Sequence, residues 1–268
     1  MRLSIPTPAT SAVEIGPLTI HFYALCIIAG VALAIWLGNR RFMRAHGGVE
    51  GVVADVAIFA VPIGVIGGRI YHVLTSPDQY FGSGANFFDI FKIWNGGLGV
   101  WGAIAFGTFG AYLSYKRISK EKSLPPFSVF AGALAPGLAL AQAIGRWGNW
   151  FNGELFGRPL DTSWALSIPA GLRPVGYEEF ETFHPTFLYE SIWCIVIAVI
   201  LIYMTPKLSG GAIFALYVAG YSAGRFFIEG LRIDQAHTFG GLRLNQYVAA
   251  LLFLLGMLTF SRFSRSKR

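Results

Sequence analysis

The sequence predicts an all-α integral membrane protein of seven transmembrane helices with a small extracytoplasmic head segment over about residues 146–186. Three observations predict it. The 268 residues are 54% hydrophobic and only 13% charged, with a mean hydropathy of +0.55, too apolar for an ordinary soluble core. Apolar runs of bilayer length recur along the whole chain. Basic residues fall in short blocks in alternate intervals between those runs, the pattern that keeps inner loops positive.

The first span runs from about Leu18 to Leu37, and the block Arg40, Arg41, Arg44 that follows holds its end inside, with the N-terminus outside. The stretch before it, Met1 to Pro17, has no apolar core, so no cleavable leader is expected. The second span, about Val52 to Val73, carries Gly64, Gly67 and Gly68 for close helix approach. It also carries Arg69, which either snorkels or lines a cavity with Tyr71 and His72. A polar connection, Ser76 to Trp94, leads to Gly96, Gly97, Gly99 and Gly102, which open a third span reaching about Tyr115. Glycine N–H groups at a helix start can cradle an anion, and the same residues can serve as a small packing face.

Lys116, Arg117, Lys120 and Lys122 mark the next inner loop, and the fourth span, Phe127 to about Ile144, has no charge at all. From Arg158 to His184 the chain is rich in Pro and Gly and carries Asp161, Glu178, Glu179 and Glu181. That head is too polar to span and long enough to cap a cavity or meet a soluble partner. Pro185 suits the first turn of a helix, with His184 at its cap, and this fifth span ends near Met204. After Lys207 the sixth span covers Ala212 to about Gly230. An outer loop, Leu231 to Leu244, precedes the seventh, about Gln246 to Phe260, and a basic tail. Of the 21 Lys and Arg, twelve then lie in inner segments, seven in outer ones and two in spans. The reading is a single membrane domain over residues 1–268.

Several classes of function are excluded. The net charge of +7 is divided among loop blocks and makes no continuous stripe for nucleic acid. The two cysteines, Cys26 and Cys194, both sit in apolar runs, which argues against a disulfide, a zinc site or a nucleophilic thiolate. No His-Glu-x-x-His pattern or Ser-His-Asp arrangement occurs, so neither a metal nor a covalent intermediate is expected.

The chemistry concentrates elsewhere. The uncharged fourth run ends in Gly145-Arg146-Trp-Gly-Asn149-Trp-Phe-Asn152-Gly-Glu154-Leu-Phe-Gly157, a guanidinium, two amides and a carboxylate close to hydrocarbon. Glu190 lies inside the fifth apolar run. Tyr221, Arg225 and Glu229 recur at intervals of four, on one stripe of the sixth helix. Charges at that depth cost about 2.5–3.5 kcal/mol each on the insertion scale and are kept only where they meet partners or a wet cavity. Planar guanidinium matches two oxygens of a phosphodiester, so Arg69, Arg146 and Arg225 suit a lipid headgroup and a departing phosphate.

These residues resemble the signature of the prolipoprotein diacylglyceryl transferases, bacterial plasma-membrane enzymes. The match extends in order through Tyr23, Gly96-Gly97 with Gly102, the 145–157 cluster, His184-Pro185 with Tyr189-Glu190, and the Tyr221/Arg225/Glu229 stripe, and so covers essentially the whole chain. The resemblance implies transfer of the diacylglyceryl group of phosphatidylglycerol to the thiol of the lipobox cysteine of a preprolipoprotein signal peptide. A thioether forms and glycerol 1-phosphate leaves, with no cofactor. It further implies that Arg146 and Arg225 hold the headgroup phosphate, that Asn149 and Glu154 shape the pocket around Arg146, and that Glu229 orients Arg225. Tyr23 and Tyr221 would line the lipid site, and Gly96, Gly97, Gly102, Arg69, Glu190 and His184 would complete the substrate surface. The chain departs from the pattern at Trp101, where many members carry His, and at Gly132, where members often carry Asp. The Trp101 departure and the Trp-Gly-Asn-Trp run resemble actinobacterial members.

Two rival readings stand beside this one. An anion transporter would spread its charges through the full depth of the spans. A catalytically inactive scaffold would show erosion of the polar cluster.

Overall fold

The computed structural model describes residues 4–16, 18–82, 84–93 and 96–265. Its long helices are α1 (Phe22–Phe42), α2 (Val52–Thr75), α4 (Val100–Glu121), α5 (Phe127–Asn152), α6 (Thr186–Met204), α7 (Gly210–Leu231) and α8 (Leu244–Arg265), with a short α3 (Asp78–Phe81). All but α4 of the long helices are long and apolar enough to cross a membrane. Helix α4 falls short in composition: glycines and tyrosines dilute its apolar residues, and Lys116 and Arg117 lie within it. Two compact units result, one formed by Asn39–Phe127 and the other by the chain to Gly38 together with Ser128–Arg268.

Within the Asn39–Phe127 unit, glycine decides how α2 meets α4. A Cβ on Gly67 would lie 2.7 Å from the Gly102 carbonyl, and one on Gly102 would lie 2.2 Å from the Gly67 carbonyl. Such backbone contact is possible only without side chains. The packing reading of Gly102 is thus the one its surroundings support. Arg69, near the end of α2, is buried and gives its guanidinium to main-chain carbonyls. Nε donates to Ile90 O at 2.7 Å, Nη1 to Gly96 O at 2.7 Å and Gly97 O at 2.9 Å, and Nη2 to Asp89 O and, at 3.5 Å, Lys92 O. All five donors of the side chain are used in pinning the 89–97 segment. Tyr80 lies 5.0 Å from the guanidinium carbon.

In the other unit, small residues of α5 (Ala135, Ala139) meet Ile197, Ala198 and Leu201 of α6 and Ile213 of α7 in one buried cluster. Gly256 of α8 packs on α7, where a Cβ would fall 2.9 Å from Ala219 N. Ahead of α1, β2 (Ala12–Ile15) and β3 (Leu18–His21) form an antiparallel hairpin. Residues 18–21 thus form a strand, where hydropathy alone opens the first span. Their alternation and the β-branched Thr19 and Ile20 favour it.

The 153–185 segment has a core of its own. Strand β4 (Leu166–Ser167) pairs in parallel with β1 (Ile5–Pro6) and antiparallel with β5 (Thr182–Phe183). Leu166 and Phe183 of that small sheet join Phe156, Ile168 and, from α6, Phe187 in a buried apolar cluster. Between α7 and α8, β6 (Thr238–Phe239) and β7 (Leu242–Arg243) form a tight hairpin. Its turn is Gly240-Gly241, both at positive φ, which glycine adopts without strain.

Candidate active site

Hydropathy ends the fourth span at Ile144, yet α5 continues for two more turns, so Arg146, Asn149 and Asn152 lie on the helix itself. What stops the helix also builds the site. Gly153 adopts a left-handed φ of 61°, its N–H reaches Trp150 O at 3.2 Å, and the Glu154 N–H reaches Asn149 O at 3.1 Å. This glycine cap satisfies the last carbonyls and folds Glu154 back over Asn149. The Asn149 amide then donates to Glu154 Oε1 at 2.9 Å, Asn152 donates to the same oxygen at 3.1 Å, and Arg146 Nη1 donates to Asn149 Oδ1 at 3.2 Å.

Glu190, on the first turns of α6 and 3% exposed, collects the arginines. Arg225 Nη1 donates to its Oε2 at 3.1 Å, and the Tyr221 hydroxyl donates to its Oε1 at 2.8 Å. Arg146 Nε stands 3.3 Å from Oε1, but its N–H is not aimed at that oxygen and has no hydrogen-bond acceptor among the described residues. That contact is charge with charge.

Glu229 is completely buried, and both of its oxygens are occupied. Oε2 accepts from Arg225 Nη2 at 2.5 Å and from Arg232 Nη1 at 3.5 Å. Oε1 accepts from Arg243 Nε at 2.8 Å and Asn245 Nδ2 at 3.2 Å. Asp234 closes the network, receiving Arg232 Nε at 2.7 Å and Arg243 Nη2 at 2.9 Å. Burial acts to raise the Asp234 pKa, and hydrogen bonds and charge from Arg232 and Arg243 outweigh it, holding the carboxyl below the usual range.

A cavity of about 10 Å³, room for roughly one water, is lined by Arg146, Asn149, Leu155, Thr186, Phe187, Glu190 and Arg232. A phosphodiester fits there only after side chains move. The floor is shaped by Leu155, held in the left-handed region at φ 59°, whose carbonyl accepts the Thr186 hydroxyl.

The arrangement thus brings together Arg146, Asn149, Glu154, Glu190, Tyr221, Arg225 and Glu229 from the residues expected on sequence grounds. Tyr23 packs on the same part of α5, where a Cβ at Gly148 would lie 2.5 Å from its ring. His184 immediately precedes Pro185 and α6, which starts one residue later than expected, with Pro185 at the cap. The His184 Nδ1 lies 3.1 Å from the Tyr189 hydroxyl, and burial, then the Arg158 charge, lowers its pKa so that it is neutral at pH 7. Arg69, Gly96, Gly97 and Gly102 belong to the other unit. There Arg69, His72, Gln79, Tyr80, Asp89, Gly96 and Gly97 line a more open recess of about 350 Å³.

Sequence reasoning missed Arg232, Asp234, Arg243 and Asn245. The one available signal was the Glu229/Arg232 spacing of three on the end of α7. The others lie in a polar loop and helix start, where charge attracts no notice.

Apolar helices that gather guanidinium, carboxylate and amide groups at one end define a membrane protein built to handle a charged group at the edge of hydrocarbon. More narrowly, the chain belongs to the prolipoprotein diacylglyceryl transferase family, whose sequence model matches residues 10–262. Among its relatives, a phosphatidylglycerol–prolipoprotein diacylglyceryl transferase of Streptomyces griseus is 52% identical over 255 residues, 94% of this chain and 75% of that one. Enzymes of the same name from Paenarthrobacter aurescens and Cutibacterium acnes are each 49% identical, over 96% and 94% of this chain and 82% and 84% of their own.

Proposed function

We propose that this protein transfers the diacylglyceryl group of phosphatidylglycerol to the thiol of the lipobox cysteine of preprolipoproteins. The family and the names of its relatives supply the class of reaction and the two substrates. The observation that carries the mechanism is the pair Arg146 and Arg225 converging on one buried carboxylate beside a cavity.

The substrate sulfur attacks the glyceryl carbon that carries the phosphate ester. A C–S bond forms, the C–O bond breaks, and the electron pair leaves on the phosphate oxygen. The thiol proton ends on the released glycerol phosphate or in buffer, and no oxidant or reductant is needed. Arg146, whose Nε–H has no acceptor among the described residues, offers a donor to the phosphate. Arg225, fixed by Glu190 and Glu229, supplies charge as the leaving group becomes more anionic. Asn149 and Glu154 hold the Arg146 side of the pocket. Seven crossings of the bacterial plasma membrane, N-terminus outside and C-terminus in the cytoplasm, put this cluster and the 153–185 head on the outer side.

A transport pathway for anions would spread its charges through the full depth of the spans, the inner half included. The network instead draws on the last turns of α5 and α7 and the first turns of α6 and α8, which are the same end of the bundle. The test is purified protein with phosphatidylglycerol and a lipobox peptide, read by mass spectrometry. A peptide heavier by one diacylglyceryl group, with glycerol phosphate released, is the expected result. Unmodified peptide from folded, lipid-binding protein would overturn the reading.

A further inference from the structure

Arg243, at the end of β7, lies outside the Arg146–Glu190–Arg225 cluster, yet each nitrogen of its guanidinium donates to a neighbour. It is 9% exposed. Nε donates to Glu229 Oε1 at 2.8 Å, Nη2 to Asp234 Oδ2 at 2.9 Å, and Nη1 to the Arg232 carbonyl at 2.9 Å. Its backbone N–H donates to Gln246 Oε1 at 3.0 Å, and Gln246 Nε2 returns to Phe226 O of α7 at 3.2 Å. The guanidinium plane is thereby set by three acceptors from three residues.

The consequence falls on Glu229. A carboxylate held through one oxygen alone can turn about its terminal torsion, which is soft. With Oε1 held by Arg243 and Asn245, the carboxylate plane is fixed and Oε2 is turned toward Arg225 Nη2 at 2.5 Å, with Arg232 Nη1 farther off at 3.5 Å. Arg225 then has its other terminal nitrogen on Glu190. Lysine could match the charge of Arg243 but not the planar fork that reaches Glu229, Asp234 and a carbonyl at once.

We propose that Arg243 is a positioning residue for the transfer reaction, which sets the direction of Arg225 by fixing the plane of the Glu229 carboxylate. The inference rests on the reading of Arg225 as the group that neutralises the leaving phosphate. Such a role belongs to the transition state more than to lipid binding, so it acts on kcat and spares KM.

The experiment compares initial rates for the wild type, Arg243→Lys, Arg243→Met and Asn245→Ala in detergent with phosphatidylglycerol and a lipobox peptide. Arg173→Met is the control, because Arg173 staples head-loop carbonyls in the same manner, to Ile168 and Glu178, without meeting the network. Both Arg243 variants should lose on the order of 10–100-fold in kcat, with KM for the lipid within about threefold and no recovery in the lysine variant. Asn245→Ala, which keeps every charge, should show a smaller loss of the same kind and keeps the idea testable if Arg243→Met fails to fold. Wild-type kcat in folded Arg243→Lys, or equal losses in Arg173→Met, would overturn the positioning role. An inactive wild type would overturn the transferase reading instead.

Discussion

Glu190 is the side chain on which both arginines depend. It is buried, and it faces Arg146, Arg225 and the Tyr221 hydroxyl at 3.3, 3.1 and 2.8 Å. Removing one partner of a buried ion pair leaves the others uncompensated and costs about 3–5 kcal/mol. Glu190→Gln keeps the shape and removes the charge, so Arg146 and Arg225 repel without a shared counter-ion. We expect its thermal midpoint to fall and its transfer rate to drop on the order of 100-fold, measured on the folded fraction. Arg146→Ala should remove transfer altogether while the protein stays folded, because 26% of the Arg146 side chain is exposed and Glu190 keeps Arg225 and the Tyr221 hydroxyl as partners. Full activity in that variant would remove the phosphate-holding role. These residues were legible in the sequence for a simple reason: a charge inside an apolar run is costly enough to require an explanation. Arg69 stood in such a run too, but its partners are main-chain carbonyls, which leave no trace in sequence.

At the scale of elements, the site is made by how helices end. The cap at Gly153 brings Glu154 to Asn149, and its left-handed φ of 61° strains any other residue. A Cβ there would also lie 2.7 Å from Leu172 Cδ1. Gly153→Ala should therefore destabilise by about 1 kcal/mol or more and lower transfer through the Asn149–Glu154 pair, a loss seen in parallel thermal melts and rate measurements. The loop between α7 and α8 is fastened by Asp234, whose folded pKa is depressed. The unfolded chain binds that proton more tightly, so the stabilisation is complete above the ordinary aspartate pKa of about 3.9 and is lost as pH falls through the folded value. Asp234→Asn should be less stable than the wild type by about 1–3 kcal/mol at pH 7, with the two melting curves converging in acid. A gap that persists unchanged at low pH would contradict this. The helix periods and most boundaries could be read from hydropathy. The extra turns of α5 could not, because Gly145 to Asn152 is helical for reasons of capping and packing while its composition reads as an interface.

For the whole molecule, the proposed number of crossings turns on α4. Its composition is weaker than that of the six other long helices, but charge supplies an independent constraint. The basic blocks Arg40–Arg44, Lys116–Lys122, Lys207 and Arg262–Arg268 lie on one side of the membrane only if α4 crosses. Without that crossing, the block after α4 would share a side with the 76–99 connection, and every later segment would be inverted relative to Arg40–Arg44. Positive residues near span ends resist translocation, which supports the proposed arrangement of seven crossings. The glycine contacts of α4 with α2 favour it as well, since a helix docked backbone to backbone along a spanning partner shares its depth. Single cysteines placed at Gly47, Ser123 and Lys207, in a background lacking Cys26 and Cys194, should be unreactive to an impermeant thiol reagent added to intact cells. Cysteines at Ser83 and Val175 should react. Labelling at residue 123 with protection at residue 47 would show that α4 does not cross, and would place the Arg146 cluster on the cytoplasmic side, where the proposed lipobox reaction could not occur.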